Sequence, residues 1–145
     1  MSGEVDEFVR ELESRIEEEM KSAYGEVVFE RWRVSINMGA LDDPDGYALL
    51  KGRCGDTMEI FLQISDGRVS NATFKTDGCG SSRVCGSFAA EMALGHDPDE
   101  VLEITGDAVL KRVGSLPSAD NHCAFLAAET LQEAVHNFML KQKTR

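Results

Sequence analysis

Residues 58 to 76 read M-E-I-F-L-Q-I-S-D-G-R-V-S-N-A-T-F-K-T, and the fold turns on this stretch. Met58, Ile60, Leu62 and Ile64 alternate with Glu59, Phe61, Gln63 and Ser65, the period of two that lays one face of a strand on a core. Asp66-Gly67 supplies the residues of a two-residue hairpin turn, and Val69 to Thr76 returns as the second strand. Val69, Ala72 and Phe74 do not keep one period, which predicts a bulge or a longer turn there. A third strand is expected over Tyr47 to Arg53.

Helical signals flank this hairpin. After the G-C-G turn at 78 to 80, Ser81 or Ser82 is expected to cap a helix running to about Leu94, stopped by Gly95. Asp97-Pro98-Asp99 opens a short helix, Gly106 to Val113 another, and a final helix carries Ala124, Ala128, Leu131, Val135, Phe138 and Met139 on its core face, with Asp120 or Asn121 as its cap. Upstream, N-M-G-A-L-D-D-P-D-G at 37 to 46 reads as a loop and Glu26 to Trp32 as a short helix. Residues 4 to 24 place Val5, Phe8, Val9, Leu12, Ile16, Met20 and Ala23 at helical spacing among many glutamates, an acidic amphipathic helix. Its stripe is expected to be buried against the body or a partner subunit.

The 145 residues suit one domain, able to bury roughly 68–70% of its unfolded surface. A net charge of −11 repels phosphate backbones and anionic lipid, arguing against nucleic-acid and membrane partners. The acidic start M-S-G-E-V-D-E lacks a secretory pattern and no uncharged run exceeds eight residues, so a cytoplasmic location is expected. In a reducing compartment the four cysteines are better read as thiols or metal ligands than as a disulfide framework.

Cys54 in G-R-C-G-D and Cys79 in D-G-C-G-S sit beside glycine, and Cys123 in N-H-C-A falls in the first turn of the last helix, where the helix dipole favours a thiolate. Cys85, mid-helix among Val84, Phe88 and Ala89, reads as a small buried hydrophobe. Spacings of 25 and 44 residues between Cys54, Cys79 and Cys123 match no zinc-finger or ferredoxin run. Asp56 and His122 nevertheless bring a carboxylate and an imidazole to the three thiols, a donor set that suits iron or zinc. The D-D-P-D-G run lacks the spacing of a calcium loop, a cysteine hydrolase would lack a recognisable signature, and His96 and His136 read as helix-end and helix-surface residues.

Taken in order, Tyr24 to Trp32, N-M-G at 37, D-D-P-D-G at 42, C-G-D at 54, F-K-T-D-G-C-G-S at 74 and H-C at 122 resemble the IscU/NifU amino-terminal family of iron–sulfur cluster assembly scaffolds. The resemblance spans about residues 24 to 140, leaving 1–23 as a helical extension to a domain of 24–145, and the chain looks like a stand-alone scaffold rather than a full-length NifU. It implies an α+β fold, a small antiparallel three-stranded sheet packed against helices. It also implies that Cys54, Asp56, Cys79 and Cys123 hold iron in a transient [2Fe-2S] cluster, with His122 as accessory ligand or proton donor. Such a scaffold is no classical enzyme. Its implied partners are a cysteine desulfurase, an electron donor such as a ferredoxin, and apo iron–sulfur acceptor proteins. The alternative is a zinc-binding sulfur acceptor or structural zinc protein using the same cysteines. Where the family carries L-P-P-V-K, read by a dedicated heat-shock chaperone, this chain has Leu116, Pro117, Ser118, Ala119 and Asp120. An acid in the lysine position argues against that partner.

Overall fold

The Asp66-Gly67 turn closes in the computed structural model with φ of 55° and 75°, the left-handed pair that a tight hairpin turn requires. It joins β2 (Thr57–Ser65) to β3 (Arg68–Thr76), and β1 (Gly46–Lys51) pairs antiparallel on the other side of β2, giving a three-stranded sheet of order β1-β2-β3. The expected irregularity falls in the second strand. Gln63 opposes Asn71 while Ile64 opposes Val69, so Ser70 is the extra residue. The structure describes residues 2–34, 36–53, 55–78, 80–114 and 116–143, apart from the side chains at 2, 20, 23 and 24.

Six helices surround the sheet among the described residues: α1 (Ser2–Tyr24), α2 (Glu26–Arg33), α3 (Gly80–Ala93), α4 (Pro98–Val101), α5 (Gly106–Val113) and α6 (Asn121–Lys143). The fold is therefore α+β. Helix α3 packs on β3, and α6 packs on β1 and on α3. Met58, Ile60, Leu62 and Phe74 from the sheet meet Val84, Cys85 and Phe88 from α3 and Leu131 and Val135 from α6, all essentially without solvent exposure. Cys85 is thus the small buried hydrophobe its neighbours predicted. Ala124, Ala127, Ala128 and Ala134 keep α6 thin enough to lie close against its neighbours. Phe138 and Met139, expected on the same core face, are only half-buried.

Phe61, expected to face water, is buried on the outer face of the sheet against the Tyr47 ring, their centroids 5.0 Å apart. The Tyr47 hydroxyl donates to Glu59 Oε1 at 2.6 Å, and this bond, helped by burial and by the carboxylate charge, raises the phenol from 10.0 to about 12. Because the folded protein holds this proton more tightly than the unfolded chain, the associated stability is complete below pH 10 and is lost as pH rises toward 12. Tyrosinate absorbance should show Tyr47 ionising near the upper value, and Glu59→Gln should return it toward the lower one.

One expectation about helices needs correction. Ser81 and Ser82 do not cap α3, which begins at Gly80. Both serines are buried in its first turn, where their hydroxyls bond to other segments rather than to the helix's own N–H groups. Asp120 lies in a short 3-10 turn, Ser118–Asp120, and its carboxylate accepts the Ser81 hydroxyl at 2.9 Å. By contrast Asp97 caps α4, exchanging bonds with Glu100 as a capping box.

Helix α1 has the predicted length but not the predicted burial. Val5, Phe8, Val9, Leu12 and Ile16 are 42% to 64% exposed, so the body of this chain does not cover the stripe. The helix packs chiefly on α2 near its end, where Lys21 lies over the Phe29 ring and Gly25, at φ 86°, redirects the chain. No helix among the described residues is long and apolar enough to cross a membrane.

Candidate functional site

The β1–β2 connection and the β3–α3 connection lie side by side at one end of the sheet. Gly52 N–H donates to the Asp56 carbonyl at 2.8 Å and Gly55 N–H to the Gly52 carbonyl at 3.1 Å, folding the first connection into a tight turn. Thr57 N–H donates to Asp77 Oδ1 at 2.6 Å across the strand ends. That bond, the largest of several influences, holds the Asp77 carboxyl below the usual range. Gly78 N–H in turn donates to Thr76 Oγ1 at 3.1 Å. These bonds leave Asp56 beside Gly78.

Helix α6 delivers the other groups. Cys123, in its first turn, is 1% exposed and lies at the partially positive end of the helix. His122 Nδ1 lies 3.0 Å from the Ala119 carbonyl. A carbonyl only accepts, so Nδ1 carries the hydrogen and the neutral ring keeps Nε2 as its acceptor. That Nε2 lies 3.6 Å from Cys123 Sγ, placed to receive the thiol proton or to bind a metal beside the sulfur.

Ser82 ties the two halves together. Its hydroxyl, with no solvent exposure, stands 3.1 Å from Asp56 Oδ2 and 3.4 Å from Cys123 Sγ. Asp56, His122 and Cys123 are therefore brought to one end of the molecule, with the Ser82 hydroxyl between the Asp56 carboxylate and the sulfur. Among the described residues no three His, Cys, Asp or Glu side chains already form a metal-holding group. Cys54 and Cys79 lie outside the described residues. Beside His122 runs a groove of about 520 Å³, flanked by Leu50, Phe125 and Leu126 and carrying Lys51 and Arg53 in an otherwise acidic protein. His96 and His136 lie elsewhere, both exposed: His96 in the connection between α3 and α4, beside Glu100, and His136 on the surface of α6, beside Glu133.

The family profile described as "NifU-like N terminal domain" matches residues 23–145. The chain belongs to that family. This NifU-like domain is 36% identical over 119 residues to the iron–sulfur cluster assembly scaffold protein IscU 1 of Archaeoglobus fulgidus, covering 81% of this chain and 78% of the relative. It is 30% identical over 126 residues to the scaffold protein IscU of Aquifex aeolicus, covering 85% and 80%. Its fold matches the crystal structure of a nitrogen-fixing NifU-like protein (N-terminal) from Brucella abortus, with a TM-score of 0.65, 20% identity and coverage of 84% and 98%.

Two features of the NifU-like site escape residue-by-residue reading. One is the Ser82 hydroxyl, whose partners are 26 and 41 residues away in sequence. The other is the close approach at Gly78, where an added Cβ would stand 2.6 Å from both Asp56 Oδ2 and Ser82 Oγ. The only available sign was the run of glycines and serines around Cys79. Gly78→Ala should leave the fold intact, because the obstructing atoms are side-chain ends, yet push the Asp56 carboxylate off Ser82. Metal affinity should fall about tenfold, the scale of disturbing groups that orient ligands, as measured by anaerobic iron titration.

Proposed function

We propose that this NifU-like domain is a scaffold on which a transient [2Fe-2S] cluster is built and from which it passes to apo-proteins. The carrying observation is the convergence of Asp56 with His122 and Cys123 at one end of the sheet, in a chain of this family. Iron and sulfide are cargo here. Cys54, Cys79 and Cys123 supply the soft thiolates, and Asp56 supplies a harder oxygen. His122 stands as alternate ligand or as proton donor to departing sulfide.

A cysteine desulfurase presents sulfur as a persulfide, and a scaffold thiolate attacks its outer sulfur while the desulfurase thiolate leaves. Two electrons from a ferredoxin-type donor then cleave the new S–S bond, restoring the scaffold thiolate and freeing hydrosulfide to bridge the irons. The oxygen corner at Asp56 is the weak point through which the cluster leaves. A dedicated heat-shock chaperone has little to read in Leu116 to Asp120. The lysine position holds an acid, and Ser81 already engages it. A peptide spanning residues 114 to 122 should bind such a chaperone weakly, and tight binding in a fluorescence titration would contradict this.

Anaerobic reconstitution with ferrous iron and sulfide, followed by visible absorption and metal analysis, tests the function. The scaffold should emerge coloured, with iron and acid-labile sulfide in equal amounts. A colourless protein retaining only zinc would favour the zinc alternative, because zinc has no redox chemistry and no visible bands.

A further inference from the structure

Ser82 occupies a place where packing alone would be served by alanine. Its hydroxyl is wholly buried, and a buried hydroxyl is costly unless bonded. Two acceptors stand within reach, Asp56 Oδ2 at 3.1 Å and Cys123 Sγ at 3.4 Å, but a hydroxyl has one hydrogen to give. The absence of a side chain at Gly78 leaves just enough space for this pair, since a Cβ there would press on both oxygens. Serine, carboxylate and sulfur therefore form a boxed set in which one hydrogen serves two ligands.

We propose that Ser82 is a positioning residue of the assembly site, its single hydroxyl hydrogen alternating between Asp56 and Cys123 as cargo comes and goes. The inference rests on the assembly-site reading above and deepens it. In the empty site the carboxylate is the stronger acceptor and holds the hydrogen. When Asp56 shares its charge with iron it becomes a poorer acceptor, and the hydroxyl turns to the Cys123 thiolate. A hydrogen bond to a ligand sulfur withdraws electron density and stabilises the reduced cluster. When the Asp56 oxygen leaves the metal it reclaims the hydrogen, so opening the labile corner is assisted by a bond already in place. Ser82 touches neither iron nor sulfide. It acts through the two residues that do.

Resonance Raman spectra of the loaded full chain in H₂O and D₂O, with the cluster's reduction potential, test this directly. In wild type an iron–cysteinyl sulfur stretching band should move on deuteration. Ser82→Ala should raise that band, diminish its deuterium shift and move the potential to a more negative value. Ser82→Thr, which keeps the hydroxyl, should retain the shift; this variant and the wild-type comparison decide the matter if circular dichroism shows Ser82→Ala unfolded. A loaded wild type without a deuterium shift overturns the inference. So does a Ser82→Ala protein whose bands and potential match wild type, or a folded Ser82→Thr protein that has lost the shift. A wild-type chain that takes up no iron and sulfide overturns the scaffold reading itself, and this inference with it.

Discussion

Cys123→Ser should fold and yet retain no cluster. The substitution replaces sulfur with a slightly smaller oxygen at a site 1% exposed, so packing changes little. The ligand chemistry changes completely, because a serine hydroxyl is a far weaker acid than a thiol, and a hard oxygen is a poor match for iron–sulfur chemistry. Visible absorption after anaerobic reconstitution should therefore be lost while circular dichroism is unchanged. Cys85→Ala is the matched control. Cys85 is as deeply buried but packs in the hydrophobic core, so its removal should leave iron and sulfide uptake at the wild-type level. Equal uptake by Cys123→Ser and wild type would reduce Cys123 to a packing residue as well.

Asp56→Ala should fail in the opposite direction, accepting cargo but holding it too long. On the proposed assignment three thiolates would still bind iron, and what would disappear is the oxygen corner from which the cluster departs. Transfer to an apo-acceptor should slow by about tenfold, in line with the effect of altering the groups around a metal. Transfer at the wild-type rate would leave Asp56 as a turn residue, with His122 next to be tested. The Ser82 hydroxyl links these two predictions, since it faces both side chains.

The features legible in the sequence are those set by local chemistry. Alternation from Met58 to Ile64 and the Asp-Gly turn specify the hairpin because side-chain period and left-handed backbone are properties of neighbouring residues. Cysteines beside glycine, with Asp56 and His122 close in sequence, raise a metal-binding chemistry on the same local grounds, and that reading is the one proposed above. What the sequence leaves open depends on contacts between distant segments. Ser81 and Ser82 carry the signature of helix caps, but Asp120 and Asp56, brought in by the tertiary fold, claim their hydroxyls instead. Phe61 sits in a solvent-facing register and is nevertheless buried, with the Tyr47 ring lying across from it. The apolar stripe of α1 announces a helix, while periodicity says nothing about which surface covers it.

On the proposed function, cargo built on Cys54, Asp56, Cys79 and Cys123 is made to be given away. The most direct measurement of this is transfer from the reconstituted chain to an apo-ferredoxin in the presence of a strong iron chelator, followed by the acceptor's visible spectrum. The acceptor should gain its cluster while the chelator stays colourless, because the cluster passes intact from one protein to the other. Iron appearing in the chelator while the acceptor remains apo would contradict it.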